Sequence, residues 1–190
     1  ITPDGTTRVL IATGPDIREQ LLDAGVDWLD GILITHEHAD HTHGIDDLRV
    51  LCYRMKRRID LWADDATLDS LLLRFGYCFE TPPGRNYPPI FDAYRISTGA
   101  PIVIDGAGGP LTAVPIVQEL GNIASLAFRF GDLAYSSDLS GLSDHEDAKL
   151  SGLGIWIVDA LRYIPHPAHF TVKQALSWIE RVAPKQAVLT

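Results

Sequence analysis

The stretch LITHEHADHTHG, residues 33–44, places four of the chain's seven histidines beside two acids. It follows directly on GILIT (31–35), a short apolar run bounded by Gly31 that reads as a buried strand. A strand that ends in four imidazoles commits its end to a polar site, and the rest of the fold has to form around that point. Crowded imidazoles are unfavourable unless something shares their lone pairs, and a metal ion is the usual answer. The H-E-x-x-H signature of zinc proteases fails, because His36-Glu37 requires a histidine at position 40, where Asp40 stands, and because that motif needs a helix. A solvated loop with idle histidines is the bland alternative. The remaining reading is a two-metal site. His36 and His38 are two apart on an extended segment, so their rings can converge on one ion. Asp40 and His41 lie past the turn and can face a second. Imidazole with carboxylate suits zinc, manganese or iron rather than calcium.

Around this cluster the chain alternates strand and helix. TRVLIAT (7–13) reads as a strand and TGPDIREQLLDAG (13–25) as a helix, with Thr13 as cap and Pro15 in the first turn. GIDDLRVLCYRMKRR (44–58) has helical spacing, IDLWA (59–63) reads as a strand and DATLDSLLLRFG (65–76) as a helix. The proline-rich ETPPGRNYPPI (80–90) excludes regular structure. Closely spaced strands follow at 91–97, 101–105, 111–117, 124–130 and 132–136, with a hairpin turn at Gly131-Asp132. GIWIVDAL (154–161) reads as a buried strand, TVKQALSWIERVA (171–183) as a helix capped by Thr171, and QAVLT (186–190) as a last strand. Helices covering mixed sheets give an α/β or α+β layered domain.

At 190 residues, 46% apolar and 22% charged, the chain suits a single globular domain over 1–190. It opens without Met and ends inside an apparent strand, so both ends read as cropped. A net charge of −9 disfavours an electrostatic grip on nucleic acid. No apolar run reaches the roughly 18 residues of a membrane span, and no signal peptide is visible. Cys52 and Cys78 are not a C-x-x-C pair; they read as buried apolar thiols in a reducing compartment, hence a cytoplasmic location.

The segment Thr35-His36-Glu37-His38-Ala39-Asp40-His41 resembles the T-H-x-H-x-D-H hallmark of the metallo-β-lactamase superfamily. With RFGDLAYSSDLSGL and VDALRYIPHPAHFTVKQALSWIERVAPKQAVLT, nearly the whole chain is similar to the branch of phosphoribosyl 1,2-cyclic phosphate phosphodiesterases. The resemblance implies an αββα sandwich holding two divalent ions, zinc or manganese. His36 and His38 would hold one ion, Asp40 and His41 the other, and Asp138 would bridge them. His169 matches a histidine placed near the substrate phosphate as proton donor. His43 and Arg162 are further candidates for substrate contact, and Asp40 belongs to the catalytic set. Arg49 and the GRNYPP loop (84–89) are candidates for shaping the substrate end, while His166 reads as an ordinary loop residue.

The implied activity is metal-dependent hydrolysis of a small cyclic or nucleotide-like phosphate ester by a metal-bridging hydroxide, with a homodimer as candidate assembly and no nucleic-acid or membrane partner. Two departures from the pattern favour an alternative. Leu120, in VQELG, stands where relatives carry a ligand histidine. Ala12, in LIATG, replaces an aspartate that supports the metal shell. The family's last ligand histidine follows the strand matching AVLT, beyond Thr190. The alternative is a non-catalytic fold-mate that binds a phosphate ligand or a protein partner through an impaired metal site.

Overall fold

The computed structural model describes Ile1, Thr2 and residues 5–190. The chain falls into two compact units, Ile1–Ser97 with Val103–Leu111, and Thr98–Ile102 with Thr112–Thr190.

The first unit is built on four strands, β1 (Val9–Ile11), β2 (Gly31–Leu33), β3 (Ile59–Ala63) and β4 (Phe91–Arg95), paired in that order and all parallel. Parallel neighbours need a crossover, and each gap supplies helix. α1 (Ile17–Asp23) joins β1 to β2. α2 (Ala39–Thr42), a 3-10 turn (Ile45–Leu48) and α3 (Arg49–Met55) join β2 to β3. α4 (Asp65–Phe75) joins β3 to β4. Strands of such a sheet are apolar on both faces, and Ile32, Leu33, Ile34, Ile59 and Leu61 are fully buried. All but Leu33 pack with Ile17, Ile45, Leu48, Leu68, Leu71 and Phe91. Cys52 and Cys78 are free, buried thiols. A late return closes the unit: the Thr7 hydroxyl donates to the Gly109 carbonyl (2.9 Å) and accepts from the Gly108 N–H (3.0 Å).

In the second unit β6 (Leu111–Leu120), β7 (Ile123–Phe130) and β8 (Leu133–Ser136) run antiparallel, and β9 (Ile155–Val158) and β10 (Gln186–Leu189) add in parallel beyond β8. The sheet order is β10-β9-β8-β7-β6-β5, with β5 (Ile102–Ile104) at one end. The turn expected at Gly131-Asp132 joins β7 to β8, with Phe130 opposite Leu133. α5 (Asp144–Asp147) precedes β9. α6 (Val172–Val182) precedes β10 and starts in a capping box, in which the Thr171 side chain accepts from the Gln174 N–H and the Gln174 side chain accepts in return from the Thr171 N–H. Trp156, Val158, Phe170 and Ala175 centre this core, and the Trp156 indole N–H donates to Ser136 Oγ at 2.9 Å.

Three sequence expectations are corrected. Thr13 does not cap α1; the N-cap is Asp16, without a side-chain bond, and the Thr13 hydroxyl is drawn to the carbonyl oxygens of His41 and Thr42. The single helix expected over 44–58 is a 3-10 turn followed by α3, ended at Lys56 in the left-handed region. Asp40 and His41, expected to lie past a turn, stand within a one-turn helix that opens at position 39. Among the described residues no helix is long and apolar enough to cross a membrane.

Two glycines fix α2. A Cβ on Gly14 would lie 2.5 Å from the Asp40 carbonyl oxygen, and one on Gly44 would lie 2.1 Å from the Gly14 carbonyl oxygen. Gly44→Ala is therefore expected to cost about 3 kcal/mol in urea unfolding, as overpacking against backbone does. The control Gly76→Ala, whose Cβ meets nothing within 4 Å, is expected to cost less than about 0.5 kcal/mol.

Candidate functional site

Each unit carries a polar cluster at the ends of its buried strands. In the first, β2 stops at Leu33 and the chain stays extended to His38, whose φ is −62° and ψ 152°. The His36 ring lies 4.6 Å, centroid to centroid, from that of His38 and 4.3 Å from that of His41. These three histidines therefore meet; the spacing puts His36 and His38 together and His41 with Asp40. The Thr35 hydroxyl sits 3.1 Å from His36 Nδ1 and 3.5 Å from His41 Nδ1. A hydroxyl at Nδ1 orients the ring and assigns metal binding to Nε2, the usual device around imidazole ligands. Thr35 and His36 are completely buried, while His38 and Asp40 face solvent. Asp40 Oδ2 is 3.6 Å from His41 Nε2. A soft-hard mixture of imidazole and carboxylate at one strand end fits a divalent transition metal. Glu37 is turned to Arg74, which donates to its carbonyl (2.8 Å) and its carboxylate (3.3 Å).

His43 stays outside this group. It is exposed, and its ring stands edge-on to Phe75, with centroids 5.5 Å apart.

The second cluster gathers Asp138, Asp159 and His169, whose ligand atoms all lie within 4.8 Å of one another. Asp138 follows β8 and Asp159 follows β9, so two neighbouring parallel strands deliver an acid at the same end. His169 Nδ1 is 3.0 Å from Asp159 Oδ2, and its Nε2 is 3.9 Å from Asp138 Oδ2. Asp159 is buried, which pushes its carboxyl above the usual carboxylate range, and the contact with His169 opposes that shift. The Ser125 hydroxyl donates to the Asp138 carbonyl at 2.7 Å and holds the turn. His166 lies in the loop before α6, with its ring 5.0 Å from that of His169. Arg162 is exposed, and its carbonyl accepts from the Val172 N–H at the start of α6.

Asp159 and Thr35 were missed by sequence reasoning. A usable signal exists for Asp159: like Asp138, it is an acid ending a buried apolar run, IWIV-D beside LAYSS-D. Arg49, a candidate for shaping the substrate end, is held by Asp46 and the proline-rich loop. Its guanidinium donates to Asp46 and to the Pro88 carbonyl and lies over the Tyr87 ring. Leu120 ends β6 and is 1% exposed, a core side chain.

A family model described as Beta-lactamase superfamily domain matches residues 7–190. A diphosphatase of the PhnP family is 34% identical, with a TM-score of 0.85 over 96% of this chain and 67% of its own. YhfI of Bacillus subtilis, a metallo-β-lactamase fold protein, is 17% identical with a TM-score of 0.71, covering 96% of this chain and 72% of that one. Human tRNase Z, short form, is 17% identical with a TM-score of 0.62, covering 96% and 80%. A curated relative from Porphyromonas gingivalis (strain ATCC BAA-308 / W83), named octanoyltransferase, is 33% identical over all of this chain. The chain spans 37% of that relative's length.

Ala12 explains one departure from the expected pattern. Its φ is +63°, in the left-handed region, and its N–H donates to the Leu33 carbonyl at 2.9 Å. Aspartate visits this region more readily than alanine, and glycine does so without penalty. Ala12→Gly is expected to raise the free energy of unfolding by about 1 kcal/mol, read from the urea midpoint at unchanged slope.

Proposed function

The chain belongs to the metallo-β-lactamase superfamily, within its PhnP branch and with its αββα fold class, and on that premise we propose that it is a metal-dependent phosphodiesterase. The proposed substrate is a small cyclic or nucleotide-like phosphate ester. The observation that carries the reading is the convergence of the His36, His38 and His41 rings, two of them within reach of one orienting hydroxyl. In this proposal His36 and His38 would hold one divalent ion and Asp40 with His41 the other, with Asp138 as a further ligand; zinc and manganese would suit the set. Such ions supply Lewis acidity toward a phosphoryl oxygen and make water acidic enough to act as a nucleophile at neutral pH.

The chain's own groups supply the proton transfers. Water attacks phosphorus as the bond to the leaving oxygen breaks. Asp40, exposed beside His41, takes the proton that the water loses. His169 gives a proton to the leaving oxygen from Nε2, and Asp159 at Nδ1 fixes the ring's orientation and supports its charged form. Asp159 is thus a positioning residue. A soluble cytoplasmic setting and a homodimer complete the proposal. The name of the curated relative describes a protein of which this chain spans 37%.

A second reading is kept because Leu120 is a buried hydrocarbon at an expected ligand position and Ala12 lacks a carboxylate. It is a phosphate- or partner-binding fold-mate with an impaired metal centre.

Elemental analysis of the full-length protein, purified without added metal, separates the two readings. The expected result is about two equivalents of zinc or manganese per chain, with Asp138→Ala losing metal and at least about 100-fold in hydrolysis of bis(p-nitrophenyl) phosphate. Content near zero that added metal does not restore would sink the hydrolase reading. Asp159→Asn is expected to retain metal while kcat falls about 10- to 100-fold with little change in KM.

A further inference from the structure

Beyond the two clusters, the first unit holds a cavity of about 560 Å³ lined by Asp46, Tyr77, Pro82, Arg85, Asn86 and Tyr87. Its volume suits a nucleotide-sized ligand. Its wall grows out of the histidine cluster along the chain. The 3-10 turn bearing Asp46 begins two residues after His43, and Phe75, against which His43 stands edge-on, is two residues before Tyr77.

The lining is assembled rather than incidental. Arg49 donates to the Pro88 carbonyl and covers one face of Tyr87 at 3.9 Å, and the Thr81 hydroxyl donates to the Tyr87 carbonyl at 3.1 Å. These contacts pin an otherwise irregular proline loop across the opening. Tyr87 nevertheless stays 39% exposed, and its ring centre lies 6.0 Å from that of Tyr77 at a tilt of 52°. The wall therefore offers aromatic surface for one flat group, not a slot between two parallel rings. The polar groups differ in kind. Asp46 receives Arg49 and Cys78 on Oδ1, so Oδ2 is the acceptor it has to offer a ligand. Asn86 brings both a donor and an acceptor. Among the described residues none pairs with the Arg85 guanidinium, which suits it to an anion. Burial pushes the Tyr77 phenol up to about 12, so it stays protonated and able to donate at neutral pH.

We propose that this cleft binds the planar heteroaromatic base of a nucleotide substrate, stacked on Tyr87 with its polar edge read by Asn86 and Asp46, and with Arg85 toward the phosphate. A sugar phosphate alone would leave the tyrosine surface unused. The proposal rests on the phosphodiesterase reading for the direction in which the substrate lies, but the cleft itself is tested by binding.

The test compares AMP with ribose 5-phosphate by titration calorimetry on the protein as purified. AMP is expected to bind about tenfold tighter or more, the scale of one base–aromatic stack. Tyr87→Ala is expected to erase that preference while leaving ribose 5-phosphate binding unchanged, which also certifies the fold. Tyr87→Phe should keep the preference, and Asn86→Ala should reduce it about threefold or more, on the scale of one lost hydrogen bond. Equal affinity for the two ligands would overturn the proposal. So would a preference that survives both Tyr87→Ala and Asn86→Ala. Failure of the protein to hydrolyse bis(p-nitrophenyl) phosphate, with the AMP preference intact and Tyr87-dependent, would strike the proposed reaction and support the cleft.

Discussion

The histidine cluster depends on a backbone clamp at the end of β1. The Thr13 N–H donates to the His41 carbonyl at 2.7 Å, and the Gly44 N–H donates to the Thr13 carbonyl at 2.9 Å. One residue thus grips the chain at His41 and again at Gly44, just past the end of α2. Each bond is worth only about 1 kcal/mol net, but both groups are buried, and leaving either unmade costs more than making it gains. The close approach also dictates composition, since side chains at Gly14 or Gly44 would occupy space already filled by carbonyl oxygens. A helix of four residues cannot stand alone; α2 is ordered by this clamp rather than by helix propensity.

Much of the architecture is legible in the sequence because long apolar periods and turn chemistry agree. Ile59–Ala63, the Thr171 cap with its helix, and the Gly131-Asp132 turn are found where composition puts them. The misreadings share a cause, tertiary contacts overriding local signals. Thr13 looks like a cap, yet its hydroxyl bonds across the unit to His41. β6 runs on to Leu120, past the limit of 117 inferred from local pattern, because its whole length from Val114 to Leu120 pairs with β7. α2 is too short to show a period at all. At the site, the approach of His36 and His38 follows from spacing, whereas the pairing of His169 with Asp159 joins residues ten apart through a loop whose course no local rule encodes.

Within each of the two clusters burial differs from residue to residue. His36 and Asp159 are enclosed, and each holds a partner by a single defined atom; His38 and Asp40 lie at the surface, where water and ligand have access. An interior group can be oriented precisely at the cost of solvation, and an exposed one can exchange ligands quickly. The departures at Leu120 and Ala12 bear on the same balance. The first replaces a polar group by core packing, and the second leaves a strained backbone angle without the side chain best suited to it.

The tie between Thr7 and Gly108–Gly109 spans about a hundred residues. During synthesis the four parallel strands have all left the ribosome well before that tie can form. At several residues per second, the unit carrying the histidine motif waits for the return segment on a scale of seconds, with one flank open. Parallel sheets with open flanks are the kind of intermediate that chaperones hold. A divalent ion supplied in that interval would meet imidazoles already gathered in sequence before the surrounding unit is closed.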